Sequence, residues 1–398
     1  MDFDIIIAGG SVAGASFGHA AAKAGHRVCI VERSVQFADR VRGEAILPWG
    51  VVEARHLGLE DVIGGAPGCA IQYWNTYLGG MQVEHRDLPQ TVESGCGGIN
   101  VHHPRLQDAL LAATQAAGAT VVRGASVESF EYGSAVQTTW LQGGRARQVR
   151  SKLLVIADGR NSRLRAAGGQ PLSLGTSPMA VSGVLFTCPS LGPAAIEAFY
   201  PPQLGELVLL VPLPAQRTRV YWVCPPDAVR SVRQAPAELI SQLLQRCAAL
   251  GVPPSWHTVA ADNARGPCTS LVTAYRKAQT LLPAPGVVLI GDAAGNVDPT
   301  FGCGLSLALR DARCLRDNIE QHGPSARALQ HYAQERERYY DALVRTEQIL
   351  HRALFAPEPS PVFAARVPAS GVDLVGRGPE SPCGVDTERF IFEQSPAL

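Results

Sequence analysis

Two glycine-rich turns, one near each end of the chain, have the composition of a phosphate-binding site. The first, Gly9-Gly10-Ser11-Val12-Ala13-Gly14, follows a mostly apolar run at 3–8 and opens a stretch of small residues with helical character. The N–H groups of such a turn, together with the positive end of the helix dipole, bind a pyrophosphate. The second, Gly291-Asp292-Ala293-Ala294, follows the apolar run 287–290 and also opens a helix. We therefore predict one long dinucleotide that contacts both turns.

Glu32 is the predicted contact for a ribose. It ends the apolar segment 28–31, and a carboxylate about 20 residues beyond a glycine turn accepts hydrogen bonds from a ribose diol. The alternative is an ordinary surface charge. Ser11 occupies the position of the middle glycine in the usual G-x-G-x-x-G pattern. Its Cβ hinders close backbone approach, whereas its hydroxyl can donate to a phosphate.

Three arginines are predicted cofactor contacts, and two of them are predicted to bind its phosphates. Arg40 and Arg42 stand two positions apart, so both side chains point the same way if the segment is extended. A guanidinium group binds phosphate through two parallel hydrogen bonds. Arg33 directly follows Glu32 and belongs to the same predicted set of cofactor contacts. The alternative is a solvated basic patch, because most surface arginines bind no ligand.

Two aspartates are predicted to lie where further parallel strands end, the place at which an open α/β sheet binds ligands. Asp158 follows the apolar run 153–157, and Asp292 follows Gly291. The Asp292 carboxylate is placed to accept a hydrogen bond from a cofactor hydroxyl. The alternative for each is a capping aspartate beside a turn glycine.

A loop near residue 300 has the glycines expected at a site for a planar, electron-rich ring. Pro299 and Thr300 begin this loop, and Gly302, Gly304 and Leu305 lead into a predicted helix at 306–319. N–H groups at the start of that helix favour the negative charge of a reduced flavin ring. We predict that Gly302, Gly304 and Leu305 contact the flavin, and that Pro299 and Thr300 belong to the same flavin and substrate loop.

Composition argues against several other classes of protein. Acidic and basic side chains are equal in number, at 35 each, so no nucleic-acid-binding face is predicted. No run reaches the roughly 18 apolar residues of a membrane-spanning helix, and the N-terminus lacks a signal-peptide pattern. The ten cysteines are scattered, which favours free thiols in a reducing cytoplasm. His102 and His103 have no third ligand nearby in the sequence, so no metal site is predicted.

The motifs GGSVAG, DGRNS at 158–162 and GDAAGNVDPTFGCG at 291–304, in this order, resemble those of single-component FAD monooxygenases of the 4-hydroxybenzoate hydroxylase type. The resemblance covers about residues 1–345 and implies non-covalently bound FAD. It implies that Arg42 touches the pyrophosphate with Arg40 as its partner, and that Arg105 opens a helix near the flavin. It also implies that Pro299 lies beside the isoalloxazine and the substrate.

Flavin-dependent halogenases are a competing prediction, because the segment R-x-G-E-x-x-x-P at 42–48 resembles the halogenase and natural-product branch. Related halogenases use an active-site lysine and a W-x-W-x-I-P element. The sequence contains only Lys23, Lys152 and Lys277, and no two tryptophans stand two positions apart. Hydroxylation or epoxidation is therefore favoured.

The predicted fold is α/β, with a Rossmann-like FAD-binding domain, an inserted β-sheet substrate domain and C-terminal helices. The predicted division is an FAD-binding domain at 1–65, 101–174 and 276–322, a substrate domain at 66–100 and 175–275, a long helix at 323–356 and a tail at 357–398. We expect a strand at 258–262 in the substrate domain. Five aromatic residues are candidates for the substrate pocket, with plain core packing as the alternative: Tyr73, Trp74, Phe186, Tyr221 and Trp222.

The expected reaction follows the resemblance. NADH or NADPH, bound transiently, reduces FAD, and O₂ then gives a C4a-hydroperoxide that hydroxylates or epoxidises a hydrophobic aromatic or unsaturated molecule, as in secondary metabolism. The sequence identifies no acid or base, since nothing supports His103 or His257 in that role. Two alternatives remain open: a flavin-dependent reductase similar to geranylgeranyl reductases, and a non-catalytic FAD-binding protein. The sequence predicts no oligomeric state.

Overall fold

A parallel sheet lies at the centre of the molecule. The computed structural model describes residues 1–40, 42–169, 171–231, 235–356 and 372–383, together with Thr387 and Arg389. The strand order is β18 (Val287–Leu289), β12 (Leu153–Ile156), β1 (Ile5–Ala8), β2 (Val28–Glu32) and β8 (Thr120–Arg123). All residues of β1, β2, β12 and β18 are buried, which is why these strands are unbroken apolar runs rather than alternating ones.

Helix α1 (Val12–Lys23) lies beside this sheet and packs against both α5 (His103–Ala116) and α9 (Gly304–His322). The small residues of α1 allow close approach, since a Cβ on Gly18 would lie 2.8 Å from the Ile30 Cδ1 atom. The long helix α10 (Ala326–Phe355) packs on α9. The shorter helices are α2 (Pro48–His56), α3 (Glu60–Gly64), α4 (Leu88–Thr91), α6 (Arg163–Ala167), α7 (Pro236–Ala249) and α8 (Pro254–Ala261).

Two smaller sheets flank the centre. An antiparallel meander of β9 (Ala125–Tyr132), β10 (Val136–Gln142) and β11 (Arg145–Ser151) packs on β2 and β12. A short sheet joins β3 (Ala45–Ile46), β7 (Gly98–Val101) and β4 (Gly68–Ile71). Among the described helices, none has both the length and the apolar composition needed to cross a membrane.

A larger, mostly antiparallel sheet stands apart from the parallel one. Its strands, in spatial order, are β19 (Gly295–Asn296), β17 (Ala264–Ala278), β13 (Leu172–Phe186), β16 (Arg217–Cys224), β15 (Leu207–Leu213), β14 (Ala195–Tyr200), β5 (Tyr73–Leu78) and β6 (Met81–Asp87). One face packs against α7 and α8 and is called the helix face. The other packs against the end of α10 and is called the inner face; its buried residues are Met179, Val181, Ala198, Leu207 and Val223.

Strand alternation divides the predicted pocket aromatics between these faces, because successive side chains point to opposite sides. Phe186 and Trp222 lie in the helix-face core, so their prediction as pocket residues is wrong. Trp74 and Tyr221 pack on the inner-face cluster. Tyr73 instead stacks on His85, with ring centroids 4.8 Å apart.

The prediction of a strand at 258–262 is also wrong, because this segment belongs to α8. Pro254 is favourable at the first position of a helix, and Trp256 and Ala260, four residues apart, are its buried residues. The α/β class and the long C-terminal helix are confirmed. Of the predicted tail at 357–398, only 372–383, Thr387 and Arg389 are described. The predicted domain boundaries stay a proposal.

Candidate cofactor and substrate site

The two glycine turns lie side by side, at the carboxyl ends of β1 and β18. A Cβ on Gly291 would lie 2.8 Å from the Ala13 Cβ, and a Cβ on Gly9 would lie 2.4 Å from the Ala157 carbonyl oxygen. A Cβ on Gly14 would lie 2.1 Å from the Gly9 carbonyl oxygen. Gly9 and Gly291 also have positive φ angles, +106° and +59°, which other residues adopt at a cost. Distant segments therefore form one crevice where the strand order changes direction.

Glu32 is fixed at the tip of β2 by two backbone donors. The Gly10 N–H donates to its Oε2 atom at 2.8 Å, and the Ser34 N–H donates to its Oε1 atom at 2.7 Å. Each carboxylate oxygen keeps a further lone pair that can accept from a ribose hydroxyl. Ser11 is the N-cap residue of α1, but its side chain makes no capping hydrogen bond.

Arg42 and Arg160 lie near enough to the Asp292 side chain to affect its pKa. Burial lowers the pKa of Arg42, as do the like charges of Arg40, Arg160 and Arg33, whereas Asp292 opposes this lowering. Desolvation raises the pKa of Asp292 against the effect of Arg160 and Arg42. The predicted Arg33, Arg40 and Arg42 are thus close in space, and Arg160 joins them. Arg160 belongs to the DGRNS motif, and the sequence alone predicts no separate role for its side chain.

Arg219 on β16 holds the segment that carries Arg42. Its side chain is fully buried; Nε donates to Glu44 Oε2 at 2.9 Å, and Nη2 donates to Glu44 Oε1 and to Asp39 Oδ1, both at 3.0 Å. The Tyr221 hydroxyl lies 2.8 Å from the Arg42 carbonyl oxygen and 2.7 Å from Glu44 Oε2. The large sheet therefore fixes the backbone of the predicted pyrophosphate contact.

The paired histidines support the same segment. His103 Nδ1 lies 3.0 Å from the Gly43 carbonyl oxygen, and burial lowers the pKa of His103 to about 4. The ring is therefore neutral at pH 7, with Nδ1–H as the donor. His102 Nε2 lies 3.5 Å from Asp39 Oδ2. Within the described part of the chain, no group of three or more His, Cys, Asp or Glu side chains is placed to hold a metal ion.

Two other sequence candidates lie less centrally. Arg105 is exposed on the first turn of α5, where its charge acts on Arg217. His257 lies on α8 with its ring against Trp256, a residue of the helix-face core, so it is remote from the inner face.

Asp158 lies beside the first turn, since a Cβ on Gly9 would lie 3.0 Å from the Asp158 Cα. Its carboxyl, however, faces the start of α6; burial raises its pKa, and hydrogen bonding by Ser162 and by the backbone of Leu164 opposes that rise. The N-cap of α6 is Ser162, whose hydroxyl accepts the Arg165 N–H, and Asp158 Oδ1 is buried without a hydrogen-bond partner among the described residues. A cofactor contact of Asp158 stays a prediction. Arg165 on α6 donates to the Ala293 carbonyl oxygen at 2.8 Å, so α6 also fixes the second turn.

The second glycine turn is anchored from behind by Asp311 on α9. Asp311 Oδ2 accepts from the Gly291 N–H at 2.7 Å and from Arg336 Nε at 2.9 Å. The Tyr339 hydroxyl donates to Asp311 Oδ1 at 2.5 Å, and Arg336 Nη2 donates to the Gly295 carbonyl at 3.3 Å. Both charged side chains are buried. No local sequence pattern indicates this anchor, because its members come from separate helices.

The loop near residue 300 forms a tight turn that leads into α9. Thr300 N–H donates to the Asp298 side chain at 2.9 Å, which caps the 3₁₀ turn Pro299–Phe301. Gly302 has φ +70°. Around both Gly302 and Gly304, no described atom lies within 4 Å of where a Cβ would be. The start of α9 is therefore open on the side where a planar ring can approach its N–H groups.

The segment that carries Arg42 lies against the loop near residue 300. A Cβ on Gly43 would lie 3.6 Å from the Leu305 Cγ atom, and the Leu47 N–H donates to the Ser306 hydroxyl at 3.1 Å. The phosphate side and the ring side of the predicted cofactor site are thus parts of one continuous crevice. The positive charge and the open glycines fit FAD, which carries two phosphates and a flat ring.

An apolar cluster adjoins the loop. Phe301 packs with Phe355 at the end of α10, with ring centroids 6.3 Å apart, and both residues contact the inner face. Other partly buried members are Trp74, Tyr200, Leu209, Tyr221 and Leu354. This arrangement brings apolar and aromatic side chains next to Pro299 and Thr300.

The three lysines do not belong to this cluster. Lys152 pairs with Asp4 at 3.1 Å, and Lys277 pairs with Asp341 at 2.7 Å. Lys23 is exposed at the end of α1. The sequence argument against halogenation therefore gains support from their positions.

Comparison with known proteins identifies the family. A model described as "FAD binding domain" matches residues 2–347. Squalene epoxidase 2 of Arabidopsis thaliana is 25% identical over 79% of this chain and 53% of its own length, so the chain spans about half of that relative. PqsL, a probable FAD-dependent monooxygenase from Pseudomonas aeruginosa, has the same fold, with a TM-score of 0.76 and 21% identity over 89% of this chain and 96% of its own.

A second solved structure, aklavinone-11 hydroxylase with FAD and aklavinone, has a TM-score of 0.72 and 21% identity over 89% of this chain and 70% of its own. At these identities the two structures show the fold alone. The match to the family model confirms the resemblance inferred from the three motifs at the level of an FAD-binding domain, and FAD as the cofactor of the family. The chain belongs to the FAD-binding-domain family.

Proposed function

We propose that the protein is an FAD-dependent monooxygenase that uses NADH or NADPH and O₂ to hydroxylate or epoxidise a hydrophobic aromatic or unsaturated molecule. The observation that carries this proposal is the contact between the apolar cluster and the loop that begins at Pro299. Bound FAD supplies the electron transfer and oxygen chemistry. The protein has to hold the cofactor, orient the substrate and exclude water.

Binding of the cofactor is assigned to both chain ends. The Gly9 and Gly291 turns offer N–H groups to the pyrophosphate, Arg40 and Arg42 neutralise its charge, and Glu32 accepts from the ribose. Gly302, Gly304 and Leu305 at the start of α9 face the ring, where the helix dipole favours a reduced, negatively charged flavin.

The substrate class follows from the inner face. The hydrophobic cluster on this face consists of apolar residues, and the buried Arg219 on the same face is already paired with Glu44 and Asp39. A charged substrate would lose its hydration there without gaining a partner, whereas an apolar one gains by burial. The printed names of the epoxidase and hydroxylase relatives support the two proposed reactions.

The arginines support NADH or NADPH as the reductant. Arg33, Arg40 and Arg160 lie near enough to Arg42 to lower its pKa, and Asp292 is the carboxylate that opposes them. One pyrophosphate carries two negative charges, so the group can also attract the phosphates of a second, transient dinucleotide. A cytoplasmic location is proposed from the scattered cysteines alone.

Spectroscopy and oxygen uptake test the function. The purified protein should be yellow or bind added FAD, and NADH or NADPH oxidation should consume O₂ faster when an apolar unsaturated or aromatic substrate is present. Oxygen from ¹⁸O₂ should appear in the product. Anaerobic turnover to a saturated product would instead support the reductase. A bound flavin that no reductant reduces would support the non-catalytic protein.

A further inference from the structure

A cluster of ionisable side chains lies buried behind the loop that leads from Asp298 to α9. Glu347 and His351, one turn apart on α10, both contact Asp298: the Asp298 N–H donates to Glu347 Oε2 at 3.2 Å, and His351 Nε2 lies 2.8 Å from Asp298 Oδ2. The Tyr275 hydroxyl on β17 and the Cys303 thiol at the other end of the loop lie near enough to Glu347 to lower its pKa. Glu347 Oε1 and the Tyr275 hydroxyl are buried without a hydrogen-bond partner among the described residues, so the direct contact of Glu347 with the loop is at its Asp298 end.

The charges of this cluster are unequal. The side chains of Asp298 and Glu347 are both fully buried. Asp298 has His351 and the Thr300 N–H as partners for a negative charge, whereas the groups that face Glu347 are Asp298, Tyr275, Cys303 and Tyr340. Burial raises the pKa of Glu347 well above its ordinary value, and the Asp298 charge adds to this rise.

We propose that Glu347 is a positioning residue whose protonated carboxyl holds the Asp298 end of this loop in the conformation that accepts FAD. The inference rests on the proposed FAD site. An ionised Glu347 would place a second buried negative charge beside Asp298, and the two carboxylates would repel each other. The loop that begins at Pro299 would shift, and the affinity for FAD would fall.

The surroundings allow such a rearrangement. Thr300 Oγ1 and His351 Nδ1 are buried without a hydrogen-bond partner among the described residues, so the cluster has polar atoms ready for new pairings. The loop also connects this ionisable cluster to the apolar cluster around Phe355, because the Phe301 ring packs edge-on to the His351 ring with centroids 4.9 Å apart.

Titration of FAD binding tests the proposal. The dissociation constant of FAD from the apoprotein is measured by flavin fluorescence at constant ionic strength, at pH values from about 6 to about 9. In the wild type it should rise with pH, by at most about tenfold per pH unit for release of one proton. In Glu347→Gln, which keeps an acceptor for the Asp298 N–H but cannot ionise, it should not change with pH.

Two further variants make the test specific. Asp341→Asn removes a carboxylate on the same helix that pairs with Lys277 and should keep the wild-type dependence. Tyr275→Phe removes a hydroxyl that favours the ionised form of Glu347. The rise of the FAD dissociation constant should therefore begin at a higher pH than in the wild type. This variant provides the test if Glu347→Gln does not fold.

Three outcomes would overturn the inference: a wild-type dissociation constant that does not vary with pH, a Glu347→Gln protein that follows the wild type, or a Tyr275→Phe transition at the wild-type pH. Each leaves the proposed function standing, since FAD still binds. A wild-type apoprotein that binds no FAD at any pH would refute the proposed function as well.

Discussion

The buried side chains of Arg336 and Asp311 form an ion pair with an Nε–Oδ2 distance of 2.9 Å, and the same carboxylate oxygen accepts the N–H of Gly291. The pair joins α10 to α9 and at the same time fixes the turn that carries Asp292. Fold stability and cofactor binding therefore depend on one interaction at this point.

Arg336→Leu should lower the free energy of unfolding by about 3 to 5 kcal/mol, because it leaves the Asp311 carboxylate buried without its cation. It should also weaken FAD binding by loosening the second turn. Urea unfolding measures the first effect and flavin fluorescence the second. Arg338→Leu, two positions along the same helix at an exposed site, is the control. Equal losses in both variants would contradict the role of the pair.

Gly9→Ala should abolish FAD binding. The added Cβ would lie 2.4 Å from the Ala157 carbonyl oxygen, at φ +106°, so the first turn must shift away from β12. Gly133→Ala is the matched control, because no described atom lies within 4 Å of its added Cβ. Fluorescence titration with FAD is the measurement, with circular dichroism to check folding. A Gly9→Ala protein that binds like the wild type would rule out this turn as the pyrophosphate site.

Tyr221→Phe should raise the dissociation constant of FAD by about fivefold, since loss of one hydrogen bond costs about 1 kcal/mol. The hydroxyl contacts the Arg42 carbonyl and Glu44, so its removal frees the segment that carries the predicted phosphate contact. The exposed Tyr132, changed to phenylalanine, is the control. An unchanged constant would mean that Arg219 alone holds the segment.

His103→Asn should reduce the loss of stability at acid pH. Burial lowers the pKa of His103 from 6.5 to about 4, so between these values the unfolded chain binds a proton that the folded chain does not. The wild-type free energy of unfolding therefore falls as the pH decreases through this window. Asparagine keeps a donor for the Gly43 carbonyl but does not titrate in this range.

Urea unfolding at several pH values between about 4 and about 7 measures this decline. His56→Asn, at the exposed end of α2, should decline like the wild type. A wild-type slope in His103→Asn would show that other groups cause the acid sensitivity.

The sequence was most informative where a function is local. Gly9, Gly14 and Glu32 were assigned correctly to one turn and one strand end, because the constraints that select them act within a single βαβ unit. Resemblance supplied the rest of the crevice, since no local pattern says that Pro299 and Gly9 belong to one cofactor. Their roles in binding remain proposals.

Other features could not be found from the sequence for physical reasons. Asp311, Arg219 and Glu347 act by pairing with residues from distant segments, and a lone charged residue in a helix or strand looks the same whether it is paired or solvated. Trp222 was misplaced because strand alternation fixes which residues share a face, but not which face meets the cofactor.

Helix α10 contacts the second turn through Arg336, the loop through Glu347 and the apolar cluster through Phe355. At 1.5 Å per residue these contacts are spaced by about 16 Å and about 12 Å along one rigid axis. Inserting a single amino acid between the first two would rotate everything downstream by about 100° and turn both later contacts out of register. Relatives that share this architecture should therefore tolerate insertions and deletions ahead of Ala326 far better than between Arg336 and Phe355.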